Sequence, residues 1–244
     1  RDFLAGRALL RLIDRPVAEE AAVTPAAGPT VRLETRAMAC PWSVVMNPGP
    51  PQHVMAASDA LELVHGIEEQ LSIFREETPI ARIRTLKLGE SLELPAEVFE
   101  LLQQCIRYAM ATGGAFDPTS GPLNRIWREA RQIGKIPEPD EISAALARCG
   151  MSRVLELDPS FSSLRAQVDH PEVDLGAIGK GYAIDRIVEQ LGSHPDGPTR
   201  IPSYLVHGGF SSLRAVGTHN GLPGWPVGLR NPLFPDRNYA TLLL

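Results

Sequence analysis

The sequence lacks the features that mark several large classes of protein. No run approaches the ~20 apolar residues that a transmembrane helix needs. The formal net charge is −5, so the chain has no excess of the basic residues with which nucleic-acid-binding proteins contact phosphates. We therefore expect neither a membrane-spanning nor a nucleic-acid-binding protein, although this charge is compatible with a local basic site for a phosphorylated ligand.

Cysteine is also scarce, and the six histidines form no metal-binding pattern. The three cysteines, Cys40, Cys105 and Cys149, lie far apart, and an odd number of isolated cysteines does not form a disulfide framework. The chain contains no Cys-x-x-Cys, no His-Glu-x-x-His and no cluster of histidines, so a zinc site is not expected. We expect the cysteines to behave as small buried residues.

A serine-hydrolase nucleophile is missing as well. The segment Leu-Val-His-Gly-Gly-Phe at 205–210 superficially resembles the His-Gly-Gly oxyanion loop of esterases. No Gly-x-Ser-x-Gly nucleophile elbow occurs anywhere in the chain, and this excludes the hydrolase interpretation. His207 is therefore interpreted as a structural residue.

Residues 1–30 are predicted to be a lead-in or linker, and residues 31–244 a single domain. The opening Arg-Asp-Phe-Leu resembles the tail of a twin-arginine export motif. Arg7, Arg11 and Asp14, however, interrupt the apolar region that such a signal needs, which favours an ordinary amphipathic helix. Residues 15–30 are rich in Ala, Pro and Glu, as in extended linkers.

Hydrophobic periodicity of three to four residues predicts five helices in the domain. The first is expected to carry Phe74 in its apolar stripe, and Asp140 is the expected N-cap of the fourth. The expected bounds are 55–74, 95–110, 122–133, 141–148 and 179–191, the last ended by Gly192.

Alternating apolar residues and turn signals predict strands between these helices. One strand is expected to run from Val31 into Met38–Cys40. The others are a hairpin at 154–157 and 161–168, a strand end at 173–175, and strands at 204–207, 212–216, 226–229 and 240–244. This mixture predicts an α+β fold with helices packed on a mixed or antiparallel sheet, because regular βαβ alternation is absent.

The segment Val-Asp-Leu-Gly-Ala-Ile-Gly-Lys-Gly-Tyr-Ala-Ile-Asp at 173–185 is the most informative one. Its glycines allow a ligand close to the backbone, and the free N–H groups of a helix start favour an anion. Lys180 can neutralise a phosphate, and Asp174 can accept from a ribose or a ring N–H or orient a metal-bound water. The spacing is neither Gly-x-Gly-x-x-Gly nor Walker A, so a phosphate site and a tight helix–strand junction remain equally compatible with it.

A second segment, at 112–122, is too rich in Gly, Pro and Asp to form a helix. A residue that precedes proline is restricted to extended geometry, so Asp117-Pro118 presents a carboxylate and backbone groups in a fixed loop. A ligand-binding loop and a helix-capping turn, with Asp117 or Ser120 as cap, both remain open. The residues alone favour the turn.

Taken together and in order, these segments resemble one family, the FAD:protein FMN transferases or ApbE family. The resemblance extends from about Arg32 to the end of the chain, and the motif that begins at Asp174 is highly specific. The matching motifs are Met38-Ala-Cys40, Leu71–Phe74 with Ile80–Ile83, Gly114–Thr119 with Gly121–Leu123, Asp174–Ala183, Gly208-Gly209 and Trp225–Pro232.

The resemblance implies an α+β fold that binds one FAD, with Mg2+ at the pyrophosphate. It implies transfer of FMN from FAD to a Thr or Ser hydroxyl of a partner flavoprotein, a subunit of a redox complex, with release of AMP. Two alternatives remain: an FAD-binding protein or FAD pyrophosphatase that yields FMN and AMP, and an inactive relative that keeps the fold. The family is commonly exported, which implies the bacterial periplasm or cell envelope, with the cytoplasm as the alternative.

Residue by residue, the resemblance also implies a set of ligand contacts, although it assigns no catalytic residue. Ala177 would contact the metal through its carbonyl oxygen, since its side chain has no donor atom and hard cations take oxygen ligands. The FAD-binding residues would be Met38, Phe74, Ala115, Phe116, Asp117, Asp174 and Lys180.

The chain departs from the family pattern at two places. Met38-Ala39-Cys40 stands where the family has Met-Gly-Thr, which adds a methyl group near the expected ligand. The family's Ala-Thr-Ser-Gly segment and its His-x-x-Asp-Pro-x-Thr-Gly motif, which supplies the principal metal carboxylate and a Thr ligand, do not occur in the 244 residues. We therefore expect residues 31–244 to be an ApbE-like domain truncated on its C-terminal side.

Overall fold

The computed structural model describes residues 28–192, 200–209, 211–234 and 236–244. The predicted N-terminal helix and most of the lead-in lie outside the described residues. The order of elements is β1 (Val31–Ala37), β2 (Cys40–Met46), α1 (Pro51–Leu71), α2 (Pro79–Ile83), β3 (Ser91–Glu93), α3 (Ala96–Ala111), α4 (Gly121–Gln132), α5 (Pro139–Ala147), α6 (Met151–Val154), β4 (Leu155–Asp158), β5 (Ser163–Ala166), α7 (Gly179–Gly192), β6 (Tyr204–Gly208), β7 (Ser212–Val216), β8 (Pro226–Arg230) and β9 (Asn238–Leu243).

The predicted α+β fold is confirmed, and every strand pairing in the described ranges is antiparallel. The main sheet has the strand order β1-β2-β6-β7. β6 comes from the far end of the chain and pairs with β2 from Trp42↔Gly208 to Met46↔Tyr204. The inward side chains of this sheet form one apolar cluster with α1 and α7, because both helices carry buried residues at helical spacing.

A second apolar cluster surrounds a three-stranded sheet of order β3-β5-β4. The predicted hairpin around Asp158-Pro159-Ser160 is confirmed as β4 and β5, with Leu157 opposite Leu164. α3 contributes Val98, Leu101 and Leu102 to this cluster. Leu71, at the end of α1, and Leu175, just before α7, belong to the same cluster. The two loops that flank the predicted ligand site are thereby packed against one core.

The first predicted helix is wrong at its end. α1 ends at Leu71 because Ser72 adopts an extended conformation (φ −65°, ψ 129°). The N–H of Phe74 then donates to Ser72 Oγ at 3.2 Å, which stabilises a turn instead of another helical residue. Phe74 therefore leaves the apolar stripe and is 87% exposed.

Asp140 is not the N-cap of α5. The helix begins at Pro139, whose fixed φ suits a first helical position. Glu138 is the N-cap, and it forms a reciprocal capping box in which its backbone N–H donates to Glu141 Oε2 at 2.9 Å. Asp140 instead lies in the first turn, where its charge favours the positive end of the helix dipole.

Three further local predictions are wrong. The first strand stops at Ala37, because Met38 and Ala39 have φ of 50° and 59° and form the turn into β2, a strand that the sequence did not predict. Residues 173–175 belong to no strand. Gly192 is the last residue of α7 and does not stop the helix before it.

β8 and β9 form a separate two-stranded ribbon, which includes the predicted C-terminal strand. Most of its side chains are exposed. None of the helices in the described part of the chain combines the length and apolar composition needed to cross a membrane.

Candidate functional site

A cavity of about 300 Å³, here called the first cavity, lies between the β1–β2 turn, the end of α1 and the start of α7. The turn contributes Met38 and Ala39. The opposite wall is built from Asp174 and Lys180 on either side of the glycine-rich turn. The full lining is Met38, Ala39, Glu68, Leu71, Ser72, Ile73, Phe74, Arg128, Asp174, Leu175, Gly176, Gly179 and Lys180.

A cavity of about 460 Å³, the second cavity, lies beside it. Asp174 and Gly176 line both cavities, so one short loop separates them. The full lining is Gly114, Ala115, Phe116, Asp117, Pro118, Ser120, Leu123, Asn124, Leu146, Cys149, Asp174, Gly176 and Ala177. Every residue that the resemblance assigned to FAD or to the metal therefore lines one of two adjacent cavities.

The loop 174–178 is held by its own backbone and by the neighbouring loop. The N–H of Asp174 donates to the Pro118 carbonyl at 2.7 Å, which ties the two predicted segments together. Asp174 Oδ1 accepts from the N–H of Gly176 at 2.8 Å, and the N–H of Gly179 donates to the Leu175 carbonyl at 2.7 Å. A Cβ at position 176 would lie 3.0 Å from Asp174 Oδ1, so glycine gives this turn its fit.

The start of α7 leaves polar groups available for a ligand. Among the described residues, the N–H groups of Lys180 and Gly181 have no backbone acceptor. They lie between the N–H of Gly179, which donates to the Leu175 carbonyl, and the N–H of Tyr182, which donates to the Ile178 carbonyl at 3.0 Å. The Lys180 side chain is half-buried, and it too makes no ion pair or hydrogen bond in this part of the chain. Unpaired N–H groups and a cation at a helix N-terminus favour an anion.

The Asp117 carboxylate is committed to the protein itself. Its Oδ1 accepts from the N–H of Thr119 at 2.9 Å and from Thr119 Oγ1 at 2.6 Å. Its Oδ2 accepts from the N–H of Gly150 at 2.8 Å. Thr119 is fully buried, so these bonds fix the loop 115–119 against the start of α6. Asp117 thus forms a local turn with Thr119 and does not cap α4, whose N-cap is Ser120 without a side-chain cap hydrogen bond. Whether Asp117 contacts FAD stays a prediction.

The two cavities differ in charge. The first cavity contains two cations, Lys180 and Arg128, and two carboxylates, Glu68 and Asp174, whereas the charged residues that line the second are Asp117 and Asp174. The second cavity also contains Cys149, whose pKa is raised chiefly by burial of the thiol. The first cavity therefore offers two cations to a negatively charged group, whereas the second offers none and suits a neutral or positively charged one.

A metal site cannot be built from side chains alone here. Within the described ranges, no three His, Cys, Asp or Glu side chains lie together as metal ligands would. Ala177 lines the second cavity, and its carbonyl oxygen accepts no hydrogen bond from a described backbone N–H. A single carbonyl oxygen is compatible with Mg2+, which keeps several waters and is commonly completed by substrate phosphates.

Two features of the site were not predicted from the sequence. A smaller cavity of about 160 Å³, here called the arginine cavity, adjoins Asp174 and contains Arg84, Arg125 and Arg128. Arg128 lines this cavity and the first one. An arginine on the polar side of a helix is ordinary in a sequence, so no local pattern distinguishes it.

His207 lies outside the three cavities and is a structural residue, as the sequence indicated. Ser43 Oγ and His207 Nε2 are 2.6 Å apart, and Ser43 is buried. His207 Nδ1 lies 3.2 Å from the Gly209 carbonyl oxygen. This contact joins β2 to β6 and the Gly208-Gly209 turn.

Comparison with known proteins identifies the family. The family model described as the ApbE family matches residues 38–244. The chain belongs to the ApbE family. The match includes the β1–β2 turn, both ligand-facing loops and the β8–β9 ribbon, so every predicted site residue lies inside it.

Curated relatives of this chain share the name FAD:protein FMN transferase. The one from Salmonella typhimurium is 30% identical over 239 residues, which cover 91% of this chain and 63% of the relative. The one from Treponema pallidum is 27% identical over 202 residues, which cover 77% of this chain and 54% of the relative. The chain thus spans between about half and two thirds of the length of these relatives.

Solved ApbE structures share the fold. The crystal structure of the ApbE protein from Thermotoga maritima has a TM-score of 0.75 at 24% identity, covering 88% of this chain and 68% of that one. The apo flavinyl transferase ApbE from Pseudomonas stutzeri has a TM-score of 0.68 at 24% identity, covering 83% and 66%. At this identity the likeness establishes the α+β architecture alone.

Proposed function

We propose that this ApbE-family chain binds FAD across the first and second cavities and transfers FMN from it to a Thr or Ser hydroxyl of an acceptor flavoprotein. Mg2+ would assist, and AMP would be released. The observation that carries the proposal is the convergence of the eight predicted contact residues on two cavities that share Asp174 and Gly176. The names of the relatives support the same activity.

The shapes and charges of the cavities suit such a ligand. Met38, Leu71 and Phe74 give the first cavity an apolar side for an aromatic ring. Lys180 and the unpaired N–H groups at the start of α7 suit a phosphate. The backbone carbonyls of Ala115 and Phe116, residues that line the second cavity, would accept from ring and amino N–H groups.

The transfer exchanges one P–O bond for another. The acceptor hydroxyl oxygen bonds to the phosphorus of the FMN phosphate and gives up its proton, while the bond from that phosphorus to the bridging oxygen breaks. AMP leaves with the electron pair of that bond. This chemistry depends mainly on positioning and charge neutralisation, which Lys180 supplies from this chain. Bound Mg2+ would neutralise further charge at the pyrophosphate, with the Ala177 carbonyl as its ligand from this chain.

The proposal is tested by incubating the chain with FAD, Mg2+ and the apo form of a covalently flavinylated redox subunit. Mass spectrometry of the acceptor and chromatography of the nucleotides should show an FMN adduct on Thr or Ser together with AMP. FMN and AMP without an adduct would reassign the chain as an FAD pyrophosphatase. FAD that binds but stays intact would make it an inactive relative.

The metal requirement is tested separately. Treatment with EDTA should abolish AMP release, and added Mg2+ should restore it. Release that continues at the same rate in EDTA would contradict the role of Mg2+. The family resemblance also supports a location in the bacterial periplasm or cell envelope, which cell fractionation with an antibody against this chain would test.

A further inference from the structure

Arg128 is a cation without a partner in the candidate site. α4 carries Arg125 and Arg128, and residues three apart lie on the same side of a helix. Arg125 Nη2 pairs with Glu172 Oε1 at 3.0 Å. Within the described residues, Arg128 makes no hydrogen bond and no ion pair. The two neighbouring arginines thus differ in that only Arg125 is neutralised.

The other arginine of the arginine cavity is committed as well. Arg84 Nη1 donates to the Ile73 carbonyl at 3.2 Å. Arg128 is therefore the available guanidinium among the three that line this cavity, and it also reaches the lining of the first cavity. Its position at the junction places it where a ligand in the first cavity would meet α4.

Lys180 lines the first cavity from another element, α7, and is likewise unpaired in the described ranges. Lys180 and Arg128 share the lining of a cavity of about 300 Å³ with two carboxylates, Glu68 and Asp174. Glu68 lies 3.9 Å from Arg75, and Asp174 Oδ1 accepts from the N–H of Gly176, so within the described residues neither carboxylate pairs with Lys180 or Arg128. The two cations are therefore available to an anionic ligand in this cavity.

We propose that Arg128 and Lys180 bind one phosphate group of the flavin nucleotide together, and that Arg128 determines specificity for phosphorylated flavins over riboflavin. A guanidinium presents two parallel N–H donors to a phosphate, and an ammonium adds a point charge. The inference rests on the proposed function, since it assumes that a flavin nucleotide occupies the first cavity. It adds a residue to the site that the family resemblance did not assign.

The test titrates wild type, Arg128→Gln and Arg128→Lys with FAD, FMN and riboflavin by flavin fluorescence. Arg128→Gln should weaken FAD and FMN binding about tenfold and leave riboflavin binding unchanged, because charge-assisted bonds to phosphate are lost. Arg128→Lys should lose less affinity for FAD and FMN than Arg128→Gln. The affinity of Arg128→Gln for FAD should also depend less on salt than that of wild type.

Arg131→Gln is the matched control, since Arg131 is an exposed arginine of the same helix that lines none of the three cavities. It should bind all three flavins as wild type does. Equal losses of FAD and riboflavin affinity in Arg128→Gln would overturn the inference, and so would an FAD affinity and salt dependence like those of Arg131→Gln. Absence of FAD binding in wild type would instead overturn the proposed function and the inference with it.

Discussion

The two loops that meet at the site each present an aspartate, and the two carboxylates are used differently. Both oxygens of Asp117 accept hydrogen bonds, from Thr119 and from the N–H of Gly150. Asp174 uses only Oδ1, for the N–H of Gly176, and no described residue donates to its Oδ2. The first carboxylate holds a loop in shape, and the second has an oxygen left for a ligand.

This difference shows why residue type and position do not settle a role. The family resemblance assigns both aspartates to the FAD site, and both line the second cavity. Asp117 accepts hydrogen bonds from the buried Thr119 and from the N–H of Gly150, so both of its oxygens have partners within the fold. Asp174 faces all three cavities, so its charge is directed outward from the loop that carries it.

The largest expected effect is on folding stability in Asp117→Asn. One acceptor oxygen is replaced by an amide NH2 that faces existing donors, so the free energy of unfolding should fall by about 1–3 kcal/mol. Denaturation in urea measures it. Asp174→Asn, in which the remaining oxygen can still accept from Gly176, should change the same quantity by less than about 0.5 kcal/mol. Similar losses of unfolding free energy in both variants would contradict the different roles of the two carboxylates.

The reverse order is expected for ligand affinity. Asp174→Asn weakens the acceptor that this side chain offers to a ribose hydroxyl or a ring N–H, and it should weaken FAD binding about tenfold, measured by fluorescence titration. The control is Asp185→Asn, an exposed aspartate on α7 that lines none of the three cavities. An unchanged affinity in Asp174→Asn would remove this residue from the FAD site.

Thiol labelling should report how Asp117 holds its loop. Cys149 lines the second cavity close to these bonds, and loosening the loop should speed its alkylation several-fold in Asp117→Asn at pH 8. Cys105 is the internal control, because burial raises its pKa to about 12 and only the thiolate reacts. Its labelling should stay slow below that pH. Labelling of both cysteines together would indicate global unfolding and not opening of the loop.

The smallest expected effect tests the fit of the Asp174 turn. In Gly176→Ala the new Cβ would lie 3.0 Å from Asp174 Oδ1, so the carboxylate must move by a few tenths of an ångström. FAD affinity should fall about twofold to fivefold, with little change in stability. Gly66→Ala, which meets no neighbouring atom on α1, should leave FAD affinity unchanged. Equal affinities in the two variants would show that the orientation of Asp174 does not matter.

Part of the fold could be predicted because periodicity depends on neighbours a few residues apart. α3, α4, α7 and the β4–β5 hairpin follow the spacing of their apolar residues. The end of α1 could not be predicted in this way. Phe74 still continues the helical spacing of apolar residues, but the turn at Ser72 ends the helix before it. β2 was missed because the turn before it is formed by Met38 and Ala39 at positive φ. Positive φ is uncommon for these residue types, so the sequence gives no signal for a turn there.

The sequence by itself determined the ApbE resemblance, the α+β class and eight of the residues that line the two cavities, because ordered motifs are a linear property. Tertiary structure alone decided that both oxygens of Asp117 are occupied by internal hydrogen bonds, that Asp174 lines three cavities, and that Arg128 lines the same cavity as Lys180. These contacts join residues distant in the chain. A local pattern records which groups are present, but only packing determines which of them remain unpaired.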